Sequence, residues 1–379
     1  MKLARVEAFP LSCPIPEAHQ VRLGIGRTVK RDAVLVKITG DEGCVGWGEA
    51  HAGRAPTVIA ELINSTLAPL LLGAKLSEHE SLWQKLYRLQ LASHGTGAAA
   101  ALAISGIDMA LWDLRGKLVG QPLCALLGAA PRAIPAYAGG ISFGYGETGA
   151  LVDEAQAAVA LGYRALKLRF GLAVAEDLGR AAAVRAAVGE GIDLLADANC
   201  SYTLPDAQRA RSGLDGLAAG WLEEPFPAHD FRSYRALAPH GHTPLAAGEN
   251  HYLLSDFDRR ADDGAVRLWQ PDLSKCGGIT EALRIAALAQ AHGVSVHPHT
   301  SVTGLNVAAS LHFLSALPNA GYFEADFARY NPLRTALCSP VAEVSLDGTF
   351  MPPAGPGLGI EIDEAALRHF PAVRGAGYL

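Results

Sequence analysis

Residues 193–225 read DLLADANCSYTLPDAQRARSGLDGLAAGWLEEP, and their layout decides the fold. One apolar run closes on Asp197, an alanine-rich helical stretch follows, and a second apolar run closes on Glu223. Strand, helix and strand in that order form the unit of a parallel α/β sheet. Working outward, the same unit recurs in IPAYAGG, RALKLRF, PLAAGEN, VRLWQPD, VSVHPH and GYFEAD, which brings the runs to eight. Lys167, Asp197, Glu223, Glu249, Asp272, His299 and Glu324 stand at their downstream ends, 23 to 30 residues apart. That interval holds one strand, one helix and two loops, so the spacing predicts a barrel rather than an open doubly wound sheet. No GxGxxG follows the first run, which removes the dinucleotide-binding signature.

The flanks read differently. Residues 33–50, AVLVKITGDEGCVGWGEA, place strand-like runs on both sides of a Gly-Asp-Glu-Gly turn, which predicts a small antiparallel sheet. Between 56 and 127 the apolar residues step by three and four, the helical period. Beyond Glu324 no clean eighth amphipathic helix follows. Instead ARYNPLRTALCSP leads into AEVSLDGTFMPPAGPGLGIEID, with an Asp347-Gly348 hairpin signal. The expected class is α/β: a modified TIM barrel, (β/α)7β, with an α+β capping domain formed from both chain ends. The expected boundaries are 1–130 for the amino-terminal cap, 131–328 for the barrel and 329–379 for the return to the cap.

Half of the 379 residues are hydrophobic and 18% are charged, which suits a large buried core and excludes disorder and miniprotein scaffolds. The low charged fraction also points to buried subunit surface, so a homo-oligomer is expected. The most apolar stretch, 98–114, is interrupted by Ser105, Gly106, Asp108 and Asp113, and the start, MKLARVEAFPLSCP, is too short and too charged for a signal peptide. A cytoplasmic protein with no membrane partner is expected. The net charge of −6 contains no long run of either sign, so no nucleic acid is expected and a small molecule is the expected partner. Cys13, Cys44, Cys124, Cys200, Cys276 and Cys338 lie far apart without a CxxC pair and read as reduced thiols.

Active sites of such barrels form at the carboxyl ends of the strands. Asp197, Glu223 and Glu249 end three successive strands and are expected to converge. Three carboxylates at one point repel unless a cation lies between them, and oxygen-only ligands select Mg²⁺, or Mn²⁺, over zinc or copper. The competing reading, in which each acid caps a helix or pairs with a surface lysine, does not account for all three in register. Alternation turns Glu223 and Glu224 to opposite faces, so only one of them can be a ligand. Lys167 with Arg169, Asp197 with Asn199, and His297 with His299 share faces and can look into the site. Asp272 and His299 end the next two strands and suit a carboxylate-imidazole dyad, with Glu324 as a proton donor or oxyanion partner.

With these residues in place the chain resembles the mandelate racemase/muconate lactonizing enzyme branch of the enolase superfamily, nearly end to end. The resemblance rests on AISGIDMALWDLRGKLVGQPLCALLG at 103–128 and on LLADAN followed by WLEEP. It implies Mg²⁺ ligands at Asp197, Glu223 and Glu249, and a general-base dyad at Asp272 and His299, as in the mandelate racemase-like subgroup. It also implies that Glu324 hydrogen-bonds the substrate carboxylate, and that an enediolate forms by abstraction of the proton α to that carboxylate. Muconate lactonizing enzymes and dipeptide epimerases carry lysine where this chain has Asp272.

One position departs from the family. Its second barrel strand ends Lys-x-Lys, whereas this chain has Lys167-Leu168-Arg169. Arginine stays protonated, so Arg169 is a poor base and is better suited to holding a carboxylate or hydroxyl. Lys167 is left to titrate in the working range beside that second cation. A racemase needs a base on each face of the α-carbon, and one confident base favours dehydration of a sugar acid to a 2-keto-3-deoxy acid. A racemase, epimerase or lactone cycloisomerase on the same scaffold is the alternative, and a catalytically silent metal-binding barrel is a third reading. The cap is expected to select the substrate through Arg22, Arg27, His51 and Arg54, whose cationic character suits a polyhydroxylated or dicarboxylate molecule.

Overall fold

Three antiparallel strands open the chain in the computed structural model, which describes every residue except His94 and Ser301. They are β1 (Leu3–Pro14), β2 (Lys30–Gly40) and β3 (Val45–Ala50). The Gly-Asp-Glu-Gly segment makes the expected turn, with pairs running from Thr39 and Val45 to Val34 and Ala50. Helix α1 (His79–Gln90) and helix α2 (Ala98–Val119) follow. Helix α2 is buried nearly all round, which explains why its sequence is apolar on every face. Its contact with β3 is made by glycine: a Cβ on Gly106 would meet Ala50 and Val36 at 2.7 to 2.8 Å, and one on Gly48 would meet the Gly106 carbonyl at 2.3 Å. Gly120, at φ 66°, ends the helix in the left-handed conformation.

Eight parallel strands among the described residues then form one sheet, as the spacing predicts. They are β4 (Ile134–Gly139), β5 (Ala165–Arg169), β6 (Asp193–Asp197), β7 (Trp221–Glu223), β8 (Leu245–Ala247), β9 (Leu268–Trp269), β10 (Ser295–Val296) and β11 (Phe323–Asp326). They pair in chain order, and β11 pairs with β4. The far side closes through a bridge between Val296 and Ala320, just before β11. The connecting helices are α3 (Thr148–Ala160), α4 (Val174–Val188), α5 (Leu204–Gly216), α6 (Phe231–Leu237), α7 (Leu253–Asp263), α8 (Ile279–Ala291) and α9 (Gly304–Ala316). Inside the barrel, Tyr137, Leu195 and Trp221 fill the space beneath the strand ends. No described helix is long and apolar enough to cross a membrane.

After β11 the chain does not go straight back to the cap. The turn at Ser345–Thr349 forms, but Thr349 and Phe350 pair with Pro135 and Ile134 of β4, so this segment extends the barrel sheet first. The chain then passes α2, where Asp113 joins three parts of the molecule. This fully buried carboxylate accepts hydrogen bonds from the Trp47 and Leu358 amides, both at 2.8 Å, and pairs with Lys117. Asp113→Ala leaves two buried N–H groups without an acceptor and is expected to cost about 3 kcal/mol. Urea unfolding measures this, and a loss below about 1 kcal/mol contradicts the assignment.

Candidate active site

The sheet register places Arg169, Asp197 and Glu223 in one row across β5, β6 and β7. Two residues before Arg169, Lys167 points to the same side and one layer deeper. Its Nζ lies 2.8 Å from Glu324, 3.0 Å from Glu223 and 3.6 Å from Asp197. All four side chains are buried beneath the cavity described below. Burial alone would lower the Lys167 ammonium, but Glu223, Glu324 and Asp197 hold it well above its ordinary value. The expectation that Lys167 titrates in the working range is therefore corrected, because carboxylates surround it. Glu324 also accepts from the Gly140 and Thr300 amides at 3.1 and 3.4 Å. Burial opposes its ionisation, but Lys167 and His299 keep it below the usual carboxylate value, which makes it an acceptor rather than a proton donor. Arg169 contacts Asp197 and the Gly140 carbonyl, so it is held as a cation.

Strand alternation fails at the next position. Glu224 follows the last residue of β7 with φ 37°, and this left-handed turn brings its side chain onto the cavity wall instead of the outer face. Asn250 Nδ2 donates to its two oxygens at 2.9 and 3.1 Å, and the Cys200 thiol lies 3.5 Å from Oε2. Asn199, as expected, also reaches the cavity, with φ 43°. Both turns are invisible to a period-two reading, because neither residue is glycine.

The dyad forms. His299 Nδ1 lies 2.7 Å from Asp272 Oδ2, and Nε2 lies 2.9 Å from Glu249 Oε2. An ionised carboxylate can only accept, so Nδ1 carries a proton. Asp272 Oδ1 is held by the Ser274 amide and hydroxyl at 2.7 and 2.6 Å and by Asn306 at 3.0 Å. Burial would raise this carboxyl, but the His299 hydrogen bond and charge keep it well below the ordinary range. Burial and the Lys275 ammonium likewise lower the imidazole, yet Glu249, Glu324 and the Asp272 hydrogen bond outweigh them and raise it to about 10. His297 does not share the site. It packs against Trp221 inside the barrel, 5.3 Å between ring centroids, and accepts from the Tyr322 amide at 2.9 Å.

A cavity of about 230 Å³ opens above these residues. The barrel contributes Arg169, Asn199, Glu224, Glu249, Lys275 and His299 to its wall, and the cap contributes Arg31, His51, Arg54 and Tyr378. His51 and Arg54 thus stand where the sequence reading put them. Arg22 and Arg27 do not: their short hairpin turns them toward a second, open cavity beside Glu17 and Glu147. Lys275 and Tyr378 were missed. Lys275 had a signal, since it lies on the same strand-end loop as Asp272, whereas nothing in the sequence brings the penultimate residue to the barrel mouth.

The three acids expected to converge fall into two groups, Asp197 and Glu223 around Lys167 and Glu249 on His299. Among the described residues no three His, Cys, Asp or Glu side chains stand close enough to hold a metal ion. The donor chemistry nevertheless fits a hard divalent cation. Burial and then Asp197 push the Glu223 carboxyl up to about 7, and burial and then Glu249 push Glu224 well above its usual value. Crowded acids of this kind are stabilised by a cation bound among their oxygens. In this arrangement Lys167, Arg169 and His299 take that place.

Comparison with known proteins gives the class. Residues 6–128 match the mandelate racemase / muconate lactonizing enzyme amino-terminal domain, and residues 150–366 match the enolase carboxyl-terminal domain-like family. The chain belongs to the mandelate racemase/muconate lactonizing enzyme family of the enolase superfamily, as its motifs implied. It is 35% identical to D-galactarolactone cycloisomerase of Agrobacterium fabrum over 90% of this chain and 92% of that one. It is 34% identical to D-galactonate dehydratase of Ralstonia pickettii over 88% and 90%. Among solved structures, an enolase superfamily member from Polaromonas sp. JS666 superposes with a TM-score of 0.97 at 51% identity, each chain fully covered. A Streptomyces coelicolor racemase with bound magnesium gives 0.89 at 29% identity, with 98% of this chain and 100% of that one covered.

Proposed function

We propose that this protein is a Mg²⁺-dependent acid-sugar dehydratase. The observation that carries the proposal is His299 on the cavity wall, fixed by Asp272 at 2.7 Å, with no comparable carboxylate-fixed base among the described residues of that wall, since Arg169, where the family has its second lysine, is committed to Asp197. His299 Nε2, once it has given up the proton it shares with Glu249, takes the proton from the carbon α to the substrate carboxylate, and the electron pair left behind forms an enediolate. Collapse of that enediolate breaks the bond from the β-carbon to its hydroxyl. The same imidazole returns the proton to the departing oxygen, so water leaves and the enol becomes a 2-keto-3-deoxy acid. Asp197, Glu223 and Glu249 would hold Mg²⁺ or Mn²⁺, which supplies Lewis-acid stabilisation of negative charge. Lys167 adds a fixed positive charge beneath the substrate carboxylate, and Glu324 holds that lysine in place.

A lactone cycloisomerase is the second reading, favoured by a relative of that activity whose identity matches the dehydratase relative's. The first half of the reaction is the same, and the departing oxygen is then a ring oxygen that stays in the product. Mass spectrometry separates the two, because dehydration loses one water and ring opening loses nothing. A single base also predicts stereochemistry. In deuterated water only one C2 epimer is expected to exchange its α-proton, with exchange of the other at least about a hundredfold slower, the lower range for a positioned base. Equal exchange by both epimers, read by proton NMR, would contradict the one-base mechanism.

A further inference from the structure

Most cations around the cavity already have a carboxylate partner. Lys30 pairs with Asp32 at 3.0 Å, Arg31 with Asp326 at 3.1 Å, and His299 with Glu249 at 2.9 Å, while Arg169 contacts Asp197. Two cavity-lining cations, Lys275 and Arg54, have no ion pair and no side-chain hydrogen bond among the described residues. Lys275 is only 6% exposed. Its backbone amide closes the turn after β9 on the Asp272 carbonyl at 2.9 Å, which leaves the ammonium directed at the cavity. The nearest opposite charges, Glu249 and Asp272, are both engaged by His299. A buried ammonium in this state gains strongly from an anion brought into contact.

The cap completes the same corner. The His51 amide donates to the Ser274 carbonyl at 3.0 Å, so the cap loop docks directly on the turn that carries Lys275. The Gly53 amide donates to His51 Nδ1 at 3.0 Å, and Arg54 follows at φ 62°. The Arg54 guanidinium sits 5.3 Å over the Tyr378 ring. Tyr378 is held in turn by the last residues of the chain, where Arg27 and Leu379 exchange backbone hydrogen bonds of 2.7 and 2.9 Å. Both cations without an ion pair therefore sit on neighbouring loops of the cavity wall, above the buried Lys167 layer, with Lys275 beside the Asp272–His299 dyad.

We infer that Lys275 and Arg54 form a second anion subsite, which makes the preferred substrate a sugar acid with a carboxylate at each end. The inference rests on the acid-sugar reading above and narrows it from sugar acids in general to diacids. Galactarate, glucarate and mannarate, each against its hexonate, are the probes, because each pair replaces the far carboxylate with a hydroxymethyl group. Calorimetry on the Mg²⁺-loaded His299→Asn protein reads binding without turnover.

Each preferred diacid is expected to bind about tenfold or more tightly than its hexonate, the value of a charge-assisted contact. Lys275→Met and Arg54→Met, each combined with His299→Asn, are expected to weaken diacid binding by roughly ten- to a hundredfold and hexonate binding by less than about twofold. Equal affinity for diacids and hexonates overturns the subsite. So does an equal loss on both in the Lys275→Met protein, which would show that this lysine only balances Asp272 and Glu249. The underlying reading is tested separately by α-proton exchange with the unmodified protein: tight diacid binding without exchange would overturn the dehydratase proposal and leave the subsite standing.

Discussion

Replacing His299 with asparagine is expected to lower turnover and α-proton exchange by about 10³-fold or more, in the upper range for a positioned general base. The substitution removes the imidazole and little else. Asp272 keeps its hydrogen bonds from Ser274 and Asn306, so the β9 loop stays anchored. Glu249 loses one contact and remains available to a cation. Magnesium binding should therefore survive, and a magnesium-dependent rise in melting temperature should remain visible in the variant. Turnover within tenfold of the parent would remove His299 from the mechanism.

Stripping divalent cations with a chelator is expected to abolish α-proton exchange, and Mg²⁺ or Mn²⁺ to restore it. The enediolate carries an extra negative charge beside Asp197, Glu223, Glu224 and Glu249, and Lys167 and Arg169 are already committed to those acids and Glu324. Without a further cation the local charge opposes the intermediate. Binding also stabilises the fold: a cation at about a hundred times its Kd contributes about 2.7 kcal/mol, which raises the melting temperature by several degrees. Asp197→Asn is expected to reduce both that rise and the exchange. Full activity in excess chelator would eliminate the metal from the proposal.

Much of this was legible in the sequence because strand ends in a parallel barrel are periodic. The 23- to 30-residue spacing located all eight strands and the row containing Asp197 and Glu223. The dyad was legible for the same reason, since Asp272 and His299 end neighbouring strands and meet at 2.7 Å. Errors arose where the backbone leaves the period. Glu224 turned inward through a left-handed residue that composition does not mark, and Thr349 and Phe350 joined β4 rather than the cap. Arg22 and Arg27 were credited to the cavity by charge alone, while the hairpin that carries them faces elsewhere.

The sequence by itself determined the family, the barrel, the acids at the strand ends and the arginine that replaces the usual second lysine, because each depends on local spacing or residue type. Tertiary structure decided which charges neutralise one another. Lys167 became the hub of three carboxylates, Glu249 met His299, and Lys275 and Arg54 were left on the cavity wall without an ion-pair partner among the described residues. Ion pairing acts over a few ångströms between residues far apart in the chain, 157 positions for Lys167 and Glu324 and 295 for Arg31 and Asp326, so only the folded chain can assign it.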